Sequence, residues 1–270
     1  MLVERFIPKG SSYYIKLQNY FLKLGEKLDE VGAIHLFSIW TLTVSGIVMT
    51  MGQNDRFIYW EWIGWEIGFI KLFIVSVIFL LFFKPKKIWL SGTRYLEKNE
   101  LVIQISISIF LLLIGWIGNG SSLASTIYLV PYMTAFLSIL LIFQFSLELD
   151  KTKGEWFNST WTGKKLIFSI SSILMFISIA LGIYFDDPII STAGMVSIPF
   201  PIIALIWPSH VRHLQRARFY PIFIFAMFLC VRVPWFLIPL ILLFFVIRVV
   251  NYFRYGIVYP SFGVDLLEEI

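Results

Sequence analysis

Five basic side chains lie close together in one short stretch of the chain, between two apolar segments. Arg212, Arg216 and Arg218 fall within seven residues, and His210 and His213 lie beside them. If this stretch is helical, Arg212 and Arg216 are i, i+4 neighbours on one face, with His213 next to them. Two neighbouring guanidinium groups suit bidentate recognition of a phosphate group in a way that two lysines would not. The spacing therefore favours binding of an anionic headgroup.

A second basic stretch, residues 84–100, carries five Lys and Arg residues together with Trp89 and Tyr95. With residues 208–218 it could form a pocket for a phosphate or diphosphate headgroup, held by charge-assisted hydrogen bonds. The alternative is that both stretches only set the orientation of the chain in a membrane and contact anionic lipid loosely. On the first interpretation, the headgroup-binding residues are Lys86, Lys87, Arg94, Arg212, His213, Arg216 and Arg218.

Metal sites and familiar catalytic motifs are not apparent in the sequence. The single cysteine, Cys230, excludes an internal disulfide and a cysteine metal cluster. His210 and His213 are spaced i, i+3, but the arginines around them disfavour binding of a cation. The chain has no H-E-x-x-H, G-x-S-x-G or P-loop motif. We therefore expect no metal and no cofactor, and no residue is assigned a catalytic role.

The composition predicts where these residues are positioned. Hydrophobic residues make up 58% of the 270 residues and charged residues 14%, with 27 Phe and 10 Trp, and the mean hydropathy is +0.81. Soluble domains carry about a quarter charged residues. These values predict an all-α, polytopic integral membrane helical bundle in one domain. The net charge of +5 is not a sign of nucleic-acid binding, because the position of charges matters more than their sum in such a protein.

Apolar segments of about 20 residues, the length that crosses a bilayer, follow an amphipathic segment at residues 1–30. Within that segment, apolar residues recur at helical spacing over 11–30, which predicts an interfacial helix, with a solvated leader as the alternative. It does not resemble a cleavable signal peptide. The transmembrane domain is predicted over 31–250 and a cytoplasmic surface tail over 251–270. The predicted spans are 31–51, 64–83, 101–118, 123–147, 166–185 and 189–207, followed by the apolar segment 219–250.

Some polar residues lie within these spans. His35, Ser38, Thr41 and Ser45 fall on one side of the first span, which is typical of a helix–helix contact and, as an alternative, of a polar path. Lys71 lies in the outer part of the second span, from where it could snorkel to the interface. Prolines in the fourth and sixth spans are expected to distort them.

The segment 219–250 is ambiguous, because its 32 residues are too many for one upright helix and few for two. Arg232 and Pro234 interrupt it near the middle, and we interpret it as two short, tilted helices. This gives about eight spans, or seven if the segment crosses once. With the amino terminus inside, 19 of the 22 Lys and Arg residues lie in the inner segments. Both termini are therefore expected to be cytoplasmic, with the protein in the inner (plasma) membrane.

An inside amino terminus, a surface helix and sizeable inner loops after spans two, four and six resemble the architecture of the UbiA family of membrane prenyltransferases. The tail, RVVNYFRYGIVYPSF, is also similar in general composition to tails of uncharacterised relatives. The resemblance implies a lipid-diphosphate donor held through Mg²⁺ by aspartate-rich motifs in the inner loops after spans two and six. This sequence departs there: residues 84–100 have only Glu97 and Glu100 as acids, and 208–218 have none. No functional residue carries over, and magnesium-dependent transfer is not expected.

Three functional hypotheses follow. The first is a UbiA-like protein that binds or processes an isoprenoid or other amphiphilic lipid, with membrane lipid or phospholipid as partner and, if it is an enzyme, a prenyltransferase-like transferase. The second is a small-solute transporter that uses the proline-broken helices of spans four, six and seven as moving parts. The third is a noncatalytic subunit of a larger membrane complex. The sequence does not specify an oligomeric state.

Overall fold

The computed structural model describes residues 2–83, 97–118, 122–142, 148–150, 155–157, 164–208, 210–256 and 258. Within these residues the fold is an all-α bundle, as the sequence predicts, and eight helical segments are long and apolar enough to cross a membrane. The chain is therefore a polytopic membrane protein. The spans, numbered one to eight, are Ala33–Asn54, Trp65–Phe83, Lys98–Trp116, Leu123–Ile142, Lys165–Tyr184, Pro188–Ile206, Arg212–Arg232 and Pro234–Tyr255.

The spans are built mostly from α-helices, with short 3-10 or π segments at some ends. A small antiparallel hairpin of β1 (Glu148–Asp150) and β2 (Glu155–Phe157) lies between spans four and five. The α-helices are α1 (Leu2–Phe6), α2 (Ser12–Val31), α3 (Leu36–Asn54), α4 (Trp65–Val77), α5 (Lys98–Trp116), α6 (Val130–Ile142), α7 (Lys164–Tyr184), α8 (Pro188–Ser197), α9 (Pro199–Ile206), α10 (Val211–Arg232) and α11 (Leu237–Tyr255). The other segments are the 3-10 helices Ala33–His35, Leu123–Leu129 and Pro234–Phe236 and the π-helix Ile78–Phe83.

The two ends of the bundle are named from the positions of spans one and eight. We name the end where span one begins and span eight ends the terminal end. The opposite end, where span one finishes at Asn54 and span eight begins at Pro234, is the distal end. The distribution of Lys and Arg predicts that the terminal end faces the cytoplasm.

Prolines alter two of the spans. Span six is divided at Ile198, because Pro199 lacks a backbone N–H and begins a new helix after α8 ends at Ser197. The predicted distortion of this span is thus confirmed. In span four, Pro131 lies in the first turn of α6, directly after the 3-10 segment Leu123–Leu129. It marks the change from 3-10 to α-helix and does not kink a continuous helix.

The segment 219–250 contains the turn between spans seven and eight. The helix α10 ends at Arg232, and a 3-10 turn that begins at Pro234 leads into α11. The predicted break at this point is confirmed. The two helices are longer than the sequence suggested, because α10 already begins at Val211 and α11 continues to Tyr255. The basic residues before the apolar segment and the aromatic residues after it extend the helices to full span length.

Span one is the most buried of the eight and packs closely on span three. Gly46 and Gly115 permit this approach, since a Cβ atom on Gly115 would lie 1.9 Å from the carbonyl oxygen of Thr43. Thr41 and Ser45 are buried, and each hydroxyl donates to the carbonyl oxygen four residues earlier. These hydroxyls are satisfied within their own helix, which favours the interpretation of span one as a packing surface over a polar path.

Hydroxyl groups join spans four and five. The Oγ atoms of Ser138 and Ser171 are 2.8 Å apart, and each hydroxyl donates to the carbonyl oxygen of the other residue. Farther along, the hydroxyl of Ser178 donates to the carbonyl oxygen of Pro131 at 2.7 Å. All three serines are fully buried. Small residues and interhelical hydrogen bonds of this kind hold membrane helices together where lipid supplies no hydrophobic driving force.

The helix α2 crosses the end of span eight. Phe21 stacks on Phe253 with ring centroids 4.4 Å apart, and Asp29 forms a 2.8 Å ion pair with Arg254. These contacts advance eight residues along α2, about 12 Å, but only one residue along α11. The two helices therefore cross and do not run side by side. The left-handed backbone of Gly32 (φ 70°) ends α2 and turns the chain into span one.

Candidate functional site

The predicted basic residues of span seven lie in the first turns of a helix at the terminal end. Because α10 begins at Val211, Arg212 and Arg216 are i, i+4 neighbours, as the phosphate-binding hypothesis requires. Both side chains are exposed, whereas Leu214 faces the opposite way and is fully buried. We name Arg212, His213, Arg216 and Arg218 the basic cluster.

The histidine of this cluster lies among aromatic rings. The His213 side chain is half-buried, with its ring centroid 4.4 Å from that of His210 and 6.0 Å from that of Trp207. Aromatic surfaces beside guanidinium groups provide both apolar contact and positive charge at one place. Such a combination suits the region of a lipid where the headgroup joins the chain.

Arg218 is separated from the other two arginines. Two residues after Arg216, it is rotated by about 200° around the helix. Its side chain is half-buried, and its guanidinium carbon lies 5.3 Å from the centroid of the Phe219 ring. Its positive charge also interacts electrostatically with the imidazole of His35, at the start of span one. The structure thus brings Arg212 and Arg216 together and places Arg218 against the bundle.

The remaining predicted headgroup-binding residues, Lys86, Lys87 and Arg94, lie outside the described residues. Their part in the site stays a prediction. Among the residues that the structure describes, no group of three or more His, Cys, Asp or Glu side chains could hold a metal ion. The basic cluster itself contributes donors of hydrogen bonds and no carboxylate.

A second polar cluster, which the sequence analysis did not assign, surrounds Arg232 at the distal end. The side chain of Arg232 is 0% exposed. Its Nε, Nη1 and Nη2 atoms donate to the carbonyl oxygens of Ile58 (3.3 Å), Val48 (3.1 Å) and Arg56 (3.0 Å), respectively. A carboxylate oxygen of Asp187 lies 3.8 Å from Nη1. Each nitrogen atom of the buried guanidinium has an acceptor, which offsets the cost of burying this charge.

Asp187 connects this arginine to two further spans. Its Oδ2 atom accepts a hydrogen bond of 2.6 Å from the hydroxyl of Tyr132 in span four. Its Oδ1 atom accepts from the backbone N–H of Ile189 at 3.0 Å and so caps α8 at the start of span six. Tyr132 is fully buried. One carboxylate thereby links spans four, six and seven. We name Arg232, Asp187 and Tyr132 the distal cluster.

A signal for part of the distal cluster was present in the sequence. Arg232 is an ionisable residue inside a long apolar segment, and such residues mark a structural or functional site in membrane proteins. From the sequence, Arg232 was interpreted only as part of a helix break. The acceptors of its hydrogen bonds are backbone carbonyl groups more than 170 positions earlier, and no residue type indicates them.

Lys71 occupies a specific position between spans two and three. Its ammonium group donates to the carbonyl oxygens of Gly115 (2.7 Å) and Ile117 (2.6 Å) at the C-terminal end of α5. A positive charge at a helix C-terminus is favourable. The sequence suggested that this side chain could snorkel to the interface, and the structure shows in addition that it caps the end of the neighbouring helix.

A small groove between spans three and four has a volume of about 210 Å³, which includes its open side. It holds no ionisable side chain and has no chemistry of its own. Its lining residues are Ile105, Ser108, Leu112, Met133, Phe136 and Leu137.

Comparison of the chain with protein-family models, curated proteins and solved structures gave no match.

Proposed function

We propose that the protein binds or processes an amphiphilic lipid, of the isoprenoid or phospholipid type, whose phosphate-type headgroup lies against Arg212 and Arg216. The observation that carries this proposal is the exposure of both guanidinium groups on one helical face. Within the described part of the chain, neither of them forms an ion pair. Both guanidinium groups can therefore be reached by an anion from outside.

The surroundings of the two arginines support an anionic ligand. No Asp or Glu occurs from residue 208 to residue 218. The positive end of the α10 dipole lies at the same place, and the side chain of His210 does not cap it. Helix N-termini and paired guanidinium groups both favour phosphate oxygens. The contribution of residues 84–100 to the same pocket is part of the proposal.

A chemical step at this site would be of the prenyltransferase type, and this part of the proposal is carried by the resemblance in topology alone. The lipid chain would lie between the Phe-rich helices, with the headgroup at the terminal end, which we propose faces the cytoplasm. Because the basic cluster has no carboxylate, the headgroup would be held by guanidinium groups directly and without a bridging divalent ion.

The test compares two double variants in the full-length protein. Arg212→Lys with Arg216→Lys keeps the positive charge but removes the fork geometry. Arg212→Gln with Arg216→Gln removes the charge. Lipid retained by each detergent-purified protein is measured by native mass spectrometry, and added phospholipid or isoprenoid phosphate is titrated against it. Lys16→Gln with Lys23→Gln, on α2, is the matched control for loss of two charges.

We expect the double Lys variant to retain at least tenfold less phosphate-bearing lipid than the unmodified protein, with normal insertion in the membrane. The α2 control should retain the full amount. If the double Lys variant binds lipid fully, and only the double Gln variant fails, the arginines set membrane orientation and the proposal is wrong. Retention of a neutral lipid in all variants would equally contradict it.

A second candidate function, a small-solute transporter, is favoured by one observation. Span six is divided at Ile198 between α8 and α9, and interrupted helices of this kind form the substrate sites of many transporters. A screen of small solutes for a rise in the thermal midpoint tests this function. A solute that stabilises the protein but not a Pro199→Ala variant would favour transport over lipid binding. The noncatalytic-subunit hypothesis predicts a partner that copurifies in stoichiometric amount.

A further inference from the structure

The segment 55–64, between spans one and two, is attached to the rest of the bundle mainly through one side chain. Arg232, from the end of span seven, donates to two carbonyl groups of this segment, those of Arg56 and Ile58, at 3.0 and 3.3 Å. The same guanidinium group also donates to the carbonyl oxygen of Val48 in span one at 3.1 Å. A single buried cation thus ties the segment to span one and to span seven.

Two other polar contacts reinforce this attachment. The backbone N–H of Trp60 donates to the carbonyl oxygen of Val231 at 2.9 Å. The side chain of Arg56 forms an ion pair with Asp186, at the turn between spans five and six. Both partners of that ion pair are exposed, and exposed pairs contribute little to stability.

Most apolar side chains of the segment are exposed, and among them only Ile58 is half-buried. The side chains of Phe57, Trp60 and Ile63 are 71%, 61% and 70% exposed. The guanidinium group that binds the segment is, by contrast, completely buried. A segment with exposed side chains and few backbone hydrogen bonds belongs to the part of a protein that opens most readily. Its release would break the polar contacts at Arg232 and leave the apolar core intact.

The guanidinium group also has a partner for the released state. Asp187 lies 3.8 Å from Nη1, beyond direct hydrogen-bonding distance, while the carbonyl oxygens of the segment are closer. When the segment leaves, the guanidinium group can turn toward this carboxylate and remain paired. A buried charge with alternative acceptors can support two arrangements of similar free energy.

We propose that the segment 55–64 is a strap across the distal end of the bundle and that Arg232 is its latch. The closed state is the one described above, and in the open state the strap is released while the eight spans keep their packing. This inference does not depend on the lipid-binding function, because the latch and the basic cluster lie at opposite ends of the bundle. It assigns Arg232 to holding the strap closed at the distal end.

A glycine in span one provides a second way to disturb the latch. A Cβ atom at Gly52 would lie 2.0 Å from Nη1 of Arg232, so the glycine makes the space that the guanidinium group occupies. Gly52→Ala should displace the latch while retaining its charge. Arg232→Gln removes the charge itself. One change displaces the guanidinium group and the other removes its charge, so both test the same contact.

Trypsin provides a direct measurement, because the bond that it would cut after Arg56 includes the carbonyl group held by Arg232. The full-length protein in detergent is treated briefly with trypsin, and peptides ending at Arg56 are quantified by mass spectrometry. Their yield is divided by that of peptides cut after Lys151 and Lys153, in the segment between spans four and five. Thermal midpoints are measured on the same samples. Arg254→Gln, which removes a guanidinium group from its pair with Asp29 at the terminal end, is the matched control.

We expect Arg232→Gln and Gly52→Ala to increase relative cleavage at Arg56 at least tenfold, with the cooperative thermal transition retained. The Arg254→Gln control should leave the relative cleavage unchanged. Three results would overturn the proposal. They are unchanged cleavage at Arg56 in both folded variants, an equal rise at all sites, or failure of both variants to fold. The last two would make Arg232 a residue on which the whole fold depends, and not a separable latch.

Discussion

The hydroxyl group of Tyr14, in α2, donates a hydrogen bond of 3.1 Å to the carbonyl oxygen of Tyr252, near the end of span eight. The contact places the helix that precedes span one and the last turns of span eight at the same end of the bundle. An even number of crossings requires this arrangement. The Tyr252 carbonyl oxygen also accepts from the backbone N–H of Gly256 at 2.8 Å, so the Tyr14 hydroxyl adds a second donor to an already capped helix end.

Removal of this hydroxyl should loosen the N-terminal helix. Tyr14→Phe retains the ring, which packs on Phe253 and Tyr252, but loses the hydrogen bonds to their carbonyl oxygens. We expect a loss of about 1 kcal/mol in the free energy of unfolding, measured as a lower thermal midpoint in detergent. Tyr13→Phe is the control, because that side chain is 71% exposed. An equal effect of both variants would contradict this role of Tyr14.

The pH dependence of the same contact follows from burial. Desolvation raises the pKa of Tyr14, since it disfavours the phenolate form. The folded-state pKa thus lies above the unfolded value of about 10. The stabilisation is complete below the unfolded pKa and is lost as the pH rises through the folded one. The unmodified protein should therefore lose more stability above pH 10 than the Tyr14→Phe variant does.

The orientation of the spans is tested by reporter fusions. Fluorescent-protein fusions after Lys87, Lys165 and Arg254 should be active, because the distribution of Lys and Arg predicts that these positions face the cytoplasm. Alkaline phosphatase at the same positions should be inactive, and fusions within 55–64 should give the reverse. An extracytoplasmic signal at Arg254 would mean that the segment 219–250 crosses the membrane once.

The lengths of the apolar segments are enough to predict the spans, but the contacts between spans are not predictable in the same way. The break at Arg232 and Pro234 followed from sequence, since charge and proline both interrupt an apolar helix. The start of α10 at Val211 was not assigned, because basic residues reduce hydropathy while their i, i+4 spacing is still helical. Hydropathy thus underestimated the length of both final helices.

The two polar clusters also differ in how far they could be predicted from the sequence. The arginines at 212 and 216 are neighbours in sequence, so local spacing was sufficient to pair them. Tyr132 and Asp187 are 55 positions apart, and their contact depends on which spans are adjacent. The residue types of a single sequence carry no signal for that adjacency. The carbonyl acceptors of Arg232 are also independent of residue type and become visible only in the fold.

The contact between spans one and three should not tolerate a larger residue. Gly115→Ala would bring a Cβ atom against the carbonyl group of Thr43, and backbone cannot yield as a flexible side chain does. We expect a loss of roughly 2 kcal/mol or more, or failure to accumulate in the membrane. Ser106→Val, on an exposed position of the same span, enlarges a side chain without such a contact and serves as the control. A folded Gly115→Ala variant with an unchanged thermal midpoint would contradict the close approach.

The capping role of Lys71 predicts a cost for its removal. Lys71→Met keeps most of the apolar stem but removes the ammonium group that donates to the carbonyl oxygens of Gly115 and Ile117. Hydrogen bonds from charged groups contribute about 2 kcal/mol, and we expect a loss of that order in the thermal stability of the detergent-purified protein. Glu66→Gln, an exposed charge in the first turn of the same helix, is the comparison. A neutral or stabilising Lys71→Met would mean that the ammonium group makes no net contribution.

The link between Tyr132 and Asp187 predicts coupling between spans four and six. Tyr132→Phe removes the donor of the 2.6 Å hydrogen bond, while Asp187→Ser removes the acceptor but keeps an oxygen that can cap α8. Each single change should destabilise the protein, because each leaves a buried polar group without its partner.

The double variant distinguishes a direct bond from two independent effects. If the hydroxyl and the carboxylate act on each other, the second change should cost about 2 kcal/mol less once the first is present. Unfolding in denaturant or by heat, measured for all four proteins in one detergent, gives this coupling energy. Tyr128→Phe combined with Asp187→Ser is the control cycle, since Tyr128 packs on the ring of Phe185 near the same turn and has no hydrogen bond to Asp187 among the described contacts. Additive losses in the Tyr132 cycle would show that the hydroxyl contributes to the fold without this carboxylate, and spans four and six would then be held together by packing alone.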